Sequence, residues 1–294
     1  MIYKNDNTIF REIMHDLGGG EALPLLTFER FHDLQGFRHC FTTRKGGVST
    51  GVFASLNLSF TRGDDRDAVM ENYRRVASYF GKKPEDIVTS DQTHTTTVHE
   101  VGRPASGFGV TRPRAYSDVD GLITNEPGVV LATFYADCVP LYFIDPVHRA
   151  IGLSHSGWRG TVGRMGRETL MAMEAHYGTR PEDVYAAIGP SICKDCYEVS
   201  SDVAEAFFDA FPEHPEILED RGFPYGHSNN LVMDHKYQLD LWRANEVVLL
   251  ECGVLPEHLA VTNVCTCCNS NELFSHRASH GKRGNLGAFL MIEE

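Results

Sequence analysis

Three short segments hold the side chains best suited to chemistry: Asp91-Gln92-Thr93-His94, Ala136-Asp137-Cys138-Val139-Pro140 and Ser154-His155-Ser156-Gly157-Trp158-Arg159-Gly160. Together they supply two imidazoles and one thiol, each at or near the end of an expected strand and close to a turn. Two nitrogen donors and a thiolate make a zinc set with one ligand missing. A metal held by three protein ligands keeps a fourth position for water or substrate, which is the pattern of a catalytic centre and not of a structural one. Taken singly, each residue has a plainer explanation. A cysteine after an apolar strand is most often a small buried hydrophobe, and a lone histidine beside a turn is more often not a ligand. The three together favour a metal. His99 is out of step with His94 and sits next to Glu100, so it is expected at the surface.

The same stretch carries an anion signal. Gly157-Trp158-Arg159-Gly160 is expected to lead into a helix starting at Gly163. Free N–H groups at a helix start attract anions, and Arg159 and Arg164 add positive charge. The competing reading is an ordinary tight turn with Trp158 filling the core. Arg44-Lys45-Gly46-Gly47-Val48-Ser49 is a cation followed by an open-backbone loop, yet it matches neither the G-x-G-x-x-G fingerprint nor a P-loop. Asp137 is placed either to orient a water and move protons or to cap its turn.

Other motifs carry less. Cys193-Lys194-Asp195-Cys196 and Cys265-Thr266-Cys267-Cys268 invite a structural zinc site, although C-x-x-C is matched here by C-x-C-C. His214-Pro215-Glu216 has the H-x-E form of a nucleobase deaminase, but the P-C-x-x-C partner is absent, so a loop is expected. The fourteen histidines form no H-x-H pair. A multinuclear copper cluster of the laccase kind is therefore not expected.

Strands and helices must hold these residues in place. Strands are expected over 37–43, 87–89, 128–136, 141–144, 150–154, 184–188, 259–264 and 288–292. Helices are expected over 67–80, 163–177, 203–211 and 239–252. Val69, Tyr73, Val76 and Tyr79/Phe80 recur at helical spacing, as do Met165, Thr169, Met173 and Tyr177, with Gly178 as the stop. Residues 1–24 read as an adaptor ending in Gly18-Gly19-Gly20, and residues 25–294 as one catalytic domain. Hairpin-like strand pairs mixed with separate helices favour one α+β domain over a regular βαβ array.

The chain has 294 residues, 42% of them hydrophobic and 23% charged, enough for a sizeable core. Its net charge of −13 argues against nucleic acid as a partner, since phosphate backbones recruit basic faces. The start lacks a basic segment followed by an apolar one, and no apolar run of membrane-spanning length occurs. The eight cysteines are few for this length. A cytoplasmic protein with reduced thiols and no membrane partner is expected.

Read together, the segments resemble the YfiH/YlmD family. Its members carry the names purine nucleoside phosphorylase, laccase-domain polyphenol oxidase and peptidoglycan editing factor. The matching stretches are Thr43–Ser49, Ser55-Leu56-Asn57-Leu58, Gln92-Thr93-His94, Asp118–Thr124, Ala136–Leu141, His155–Gly160, Ile188–Ile192 with Tyr197-Glu198-Val199, and Cys265-Thr266 with Phe274-Ser275-His276-Arg277. They stand in family order from about residue 37 to the C-terminus. The resemblance implies His94, Cys138 and His155 as ligands of one zinc ion, with copper as a substitute. It implies a one-domain α+β layered sandwich of mixed sheets and helices, of the CNF/YfiH type. It also implies phosphorolysis of adenosine, inosine, guanosine and methylthioadenosine, and deamination of adenosine. Cys138 and Asp137 are then catalytic, and Arg44, Ser49, Arg159 and Arg277 bind phosphate or nucleoside. Thr95 stands where the family has glycine, which is expected to narrow the pocket. Ala278 stands where the family has a second arginine. Two rivals are a zinc hydrolase that removes wrong amino acids from peptidoglycan precursors and a non-catalytic metal-binding protein.

Overall fold

Alternating and continuous apolar runs build two six-stranded sheets whose inner faces share one core. The structure is a computed structural model, and residues 1–6, 8–222 and 235–294 are described. In chain order the elements begin with β1 (Phe10–Gly18), β2 (Glu21–Phe28), β3 (Phe37–Thr42), α1 (Arg66–Tyr79), β4 (Ile87–Thr89), β5 (Val98–Glu100) and β6 (Gly121–Thr124). Next come β7 (Val130–Tyr135), β8 (Val139–Asp145), β9 (Ala150–Ser156), α2 (Trp158–Val162), α3 (Met165–Tyr177), β10 (Tyr185–Ile188), β11 (Glu198–Ser200) and α4 (Ser201–Ala210). β12 (Leu218–Gly222), β13 (Lys236–Leu239), α5 (Leu241–Glu251), β14 (Leu259–Val261) and β15 (Leu286–Ile292) complete the series.

The first sheet has the order β1-β2-β3-β15-β7-β4, the second β14-β10-β8-β9-β6-β5, and β11-β13-β12 form a small third sheet. Phe41, Leu131, Tyr135 and Leu290 of the first sheet meet Tyr142, Ile144 and Leu153 of the second in one buried cluster. The Tyr142 hydroxyl donates to the Cys40 carbonyl at 2.9 Å, tying the sheets together. Val69, Tyr73 and Val76 of α1 cover the outer face of the first sheet. Leu170 and Met173 of α3 and Val247 to Leu249 of α5 cover the second. The fold is thus a mixed α+β sandwich of four layers, helix–sheet–sheet–helix, in a single domain, as expected.

Local chemistry sets the ends of the elements. The Asp65 carboxylate caps α1 by accepting from the N–H groups of Asp67 and Ala68. Asp240 accepts from the Arg243 N–H, so α5 starts after it and not at residue 239. Gly178, at φ 74°, stops α3. The helix expected over 163–177 is α3, which starts at Met165, and the short α2 precedes it. Arg164 lies in the left-handed region at φ 57° and separates α2 from α3. The segment read as an adaptor carries β1 and the start of β2, an antiparallel hairpin at the edge of the first sheet. Its three glycines all have positive φ and form the hairpin turn. His214-Pro215-Glu216 belongs to a short 3₁₀ turn, as a loop reading requires. Among the described residues, no helix is long and apolar enough to cross a membrane.

Candidate metal centre

His94 sits on a loop between the two sheets, and hydrogen bonds on both sides hold that loop. On one side Gln92 acts as an extra rung of β7: its amide donates to the Phe134 carbonyl and accepts from the Phe134 N–H, both at 2.7 Å. On the other side Asp120, just before β6, accepts from the backbone N–H groups of Thr93, His94 and Thr95 at 3.0–3.1 Å. The Thr95 hydroxyl adds a fourth bond at 3.0 Å. His94 itself is in the left-handed region, at φ 68°, which turns its imidazole out of the loop.

Cys138 and His155 come from neighbouring antiparallel strands. Pro140 pairs with His155 and Val139 with Ser156, so Cys138 precedes β8 where His155 leaves β9. The turn after His155 is fixed to α5. The Ser156 hydroxyl donates to the Asn245 amide oxygen at 2.9 Å, and the Asn245 amide donates to Thr161 Oγ1 at 3.0 Å. Gly157 is required by close approach. A Cβ built there would lie 2.9 Å from His94 Cδ2 and 3.2 Å from Cys138 Sγ.

One ligating atom of each of His94, Cys138 and His155 lies within 4.8 Å of the others. Cys138 Sγ is 4.0 Å from His94 Nε2, and the two imidazoles meet edge to face at 5.0 Å. A tetrahedral ion with bonds of about 2.0–2.3 Å needs donors about 3.3–3.8 Å apart. The group therefore fits a metal with small side-chain movements. His155 Nδ1 bonds Asp120 Oδ1 at 2.7 Å, which leaves Nε2 to face Cys138. A carboxylate behind a ligating imidazole fixes its tautomer and raises its basicity.

Electrostatics agrees with the geometry. Burial raises the Cys138 thiol, but the His155 charge and hydrogen bonds from His155 and His94 outweigh it and bring the thiol down to about 6. Burial opposes charge on His155 too, yet Cys138 and Asp120 hold it up at about 9. Asp120 is fully buried. Its desolvation is overcome by the bond to His155 and by the loop N–H groups, which keep its carboxyl below the usual range.

Two cavities meet at this point. One, of about 350 Å³, is lined by Leu58, Phe60, Arg62, Ser90, Phe134, Ala136, Arg283 and Asn285 together with His94, Cys138 and His155. The other, of about 310 Å³, is lined by Arg62, Trp158, Arg159, Tyr197, His276, Arg277 and Arg283 together with His94, Asp137 and Cys138. Five guanidinium groups, those of Arg62, Arg114, Arg159, Arg277 and Arg283, thus line the two cavities, and Arg114 is paired with Asp91 at 3.1 Å. The Arg159 guanidinium lies over the Trp158 ring at 4.2 Å. Trp158 is half-buried, packed against the core of the second sheet and lining the cavity as well.

The other expected residues are placed differently. Arg44 lines neither cavity. It donates to the carbonyls of Ala54 and Ser270 at 2.9 and 2.8 Å and lies over the Phe274 ring. Ser49 is buried and accepts from Asn72 on α1 at 2.9 Å. Both hold the 44–55 loop and stand apart from the metal group. Asp137 has both oxygens engaged: Oδ1 accepts from the Thr266 hydroxyl at 2.6 Å and Oδ2 from the Arg277 N–H at 2.7 Å. The helix expected to start at Gly163 starts at Met165, after the left-handed Arg164. The Gly157–Gly160 segment is instead the first turn of α2. His99 is exposed, as expected.

Asp120, Arg62 and Arg283 went unassigned by sequence reasoning. Arg283 lines both cavities, its buried Nε has no partner among the described residues, and burial first and Arg62 second bring it down to about 10. Asp120 lay inside a matched motif, and its place directly before a strand was the available signal. The two arginines are single residues in irregular loops and gave none.

A Cys/His group between two sheets, with cationic cavities on its open side, marks a candidate metal site in an α+β protein. Comparison with known proteins agrees. A family model described as "Multi-copper polyphenol oxidoreductase laccase" matches residues 38–293. Purine nucleoside phosphorylase YlmD of Bacillus subtilis is 36% identical over 255 residues, 86% of this chain and 88% of that protein. Adenosine deaminase RL5, from an unknown prokaryotic organism, is 31% identical over 81% of this chain and 87% of that protein. The crystal structure of YlmD from Geobacillus stearothermophilus aligns with a TM-score of 0.80 at 34% identity, over 97% of this chain and 100% of that one. The chain belongs to this laccase-like family, that of the YfiH and YlmD proteins.

Proposed function

We propose that the protein is a zinc-dependent enzyme of purine nucleosides, carrying out phosphorolysis and the deamination of adenosine. The observation that carries this is the convergence of His94, Cys138 and His155 on cavities lined by arginines. Two imidazoles and one thiolate form a borderline-soft set suited to zinc. Bound there, zinc supplies a Lewis acid and brings the pKa of water to roughly 7. Relatives named purine nucleoside phosphorylase and adenosine deaminase support the choice of substrate.

The chain's own residues account for binding and orientation. Arg159, Arg277, Arg62 and Arg283 hold phosphate, whose fork-shaped recognition suits guanidinium better than ammonium. The larger of the two cavities, mostly polar but with Leu58, Phe60 and Phe134 among its walls, has the size of a small-molecule site. In phosphorolysis a phosphate oxygen bonds to the anomeric carbon, the N-glycosidic bond breaks, and the base leaves with a proton. Asp137, anchored by Thr266 and Arg277, positions Cys138 and the Arg277 backbone relative to each other.

The decisive experiment is incubation of the purified protein with adenosine, with and without phosphate, and product identification by mass. Ribose 1-phosphate plus adenine only with phosphate, and inosine without it, are expected. No turnover of either kind by zinc-loaded protein overturns the proposal. Laccase chemistry passes four electrons to dioxygen through several coupled coppers, whereas zinc has no redox chemistry. Phenol oxidation is expected only slowly, after copper loading, and lost on copper removal.

A further inference from the structure

A second group of ligating side chains lies on the loops behind Asp137. Cys193, Cys196, Cys265 and Cys268 bring their four sulfurs within 4.8 Å of one another. Cys267 is not in the group, so the second motif contributes Cys265-x-x-Cys268 and the arrangement is a C-x-x-C pair facing a C-x-x-C pair. All four are free thiols; Cys193 and Cys265 are buried.

The fold creates this meeting directly. β10 and β14 are parallel neighbours, and their pairing continues as a bridge between Ser191 and Cys265. Each strand therefore delivers its C-x-x-C turn at the same end of the second sheet. The N–H groups of Cys193 and Cys268 point at Cys265 Sγ, at 3.3 and 3.4 Å. Lys4, paired with Asp195 at 2.9 Å, brings positive charge beside Cys193 and Cys268. Cys196 Sγ and Cys268 Sγ are 3.5 Å apart, well beyond the roughly 2.05 Å of a disulfide. They are close to the ~3.8 Å expected between sulfurs of a tetrahedral ion with Zn–S bonds of about 2.3 Å.

We propose that Cys193, Cys196, Cys265 and Cys268 form a second, structural metal site that takes one zinc ion on four thiolates. Four protein ligands close the coordination shell, so this ion does no chemistry. Its effect reaches the first centre through Asp137. The Ile192 N–H donates to the Asp137 carbonyl at 3.0 Å, and the Thr266 hydroxyl to its carboxylate at 2.6 Å. One donor comes from each loop, so the ion clamps the peptide that presents Cys138.

The test is zinc content of protein purified under reducing conditions. Two zinc ions per chain are expected in the unaltered protein and one in Cys138→Ala, which leaves the four-cysteine site intact. Cobalt loaded into Cys138→Ala should give the strong near-ultraviolet sulfur-to-cobalt band of a tetrathiolate site, and Cys196→Ser with Cys268→Ser should abolish it. Should that double variant fail to fold, alkylation of the unaltered protein gives a second reading. The four cysteines should resist alkylation with zinc and react after chelation. Absence of zinc and of the cobalt band in reduced Cys138→Ala, equal alkylation with and without metal, or disulfide-linked peptides from these cysteines in place of zinc overturns the proposal.

Discussion

Asp120 and His155 are joined by one short bond, 2.7 Å between Oδ1 and Nδ1, and the same carboxylate also holds the loop that carries His94. One buried acid thus orients two of the three residues of the metal group. Asp120→Asn keeps the shape but turns an amide donor toward groups that are themselves donors. Metal affinity should fall about 10–100-fold, measured by competition with a chelator, while the far-ultraviolet circular dichroism stays native. Unchanged affinity would show that Asp120 serves the loop alone.

Gly157 makes a sharper test of geometry. Its φ of −73° is open to any residue, so alanine adds no backbone strain. The added carbon meets His94 and Cys138 at 2.9 and 3.2 Å. Gly157→Ala should therefore lose metal affinity and activity together while the melting temperature of the metal-free protein stays within a few degrees. A large drop in that temperature, with metal retained, would mean the glycine is needed for folding instead.

The arginines should separate by role. Arg159→Ala and Arg277→Ala should raise the phosphate KM by about tenfold or more, the scale of one hydrogen bond to a charged group, and affect deamination less. Arg44→Ala should leave the phosphate KM unchanged and lower stability by about 2–4 kcal/mol, because two carbonyls lose their donor. A raised phosphate KM in Arg44→Ala with native stability would return that residue to the substrate site.

His39 should shape the acid side of the stability curve. Its ring accepts from the Phe28 N–H at 2.8 Å. Burial first, and His32 second, push it from 6.5 down to about 3. The unfolded chain therefore binds one more proton between those values. The contribution is complete above about 6.5 and is lost as pH falls toward 3, at up to about 1.4 kcal/mol per pH unit. His39→Gln, whose amide oxygen can accept the same bond, should flatten the fall in urea-unfolding stability from pH 6 to pH 4. An unaltered slope would assign the acid loss to other groups.

The three-residue metal group was legible because strand ends announce themselves through apolar runs followed by turn residues, and His94, Cys138 and His155 each sit at such a place. α1 and β4 were legible for the same reason. The start of α3 was read two residues early, since an arginine in left-handed backbone leaves no mark in the periodicity. β1 escaped because it is an edge strand in which polar and apolar residues mix and most are exposed, so its alternation is faint. The position of Arg44 was not legible because a loop's destination depends on distant partners such as Ser270. The Cys265-x-x-Cys268 spacing was hidden by Cys267 between its members.

The loop over Thr93 to Thr95 aims three consecutive N–H groups at one carboxylate. Such a concave run of donors is an anion nest, and here the chain supplies its own anion. The conformational entropy of ordering His94 is then met during folding, before an ion arrives. Coordination becomes the docking of an ion on a preorganised frame, and its affinity is lowered little by loop ordering. Loosening the nest should therefore weaken metal binding chiefly through entropy, with the bonding enthalpy nearly preserved.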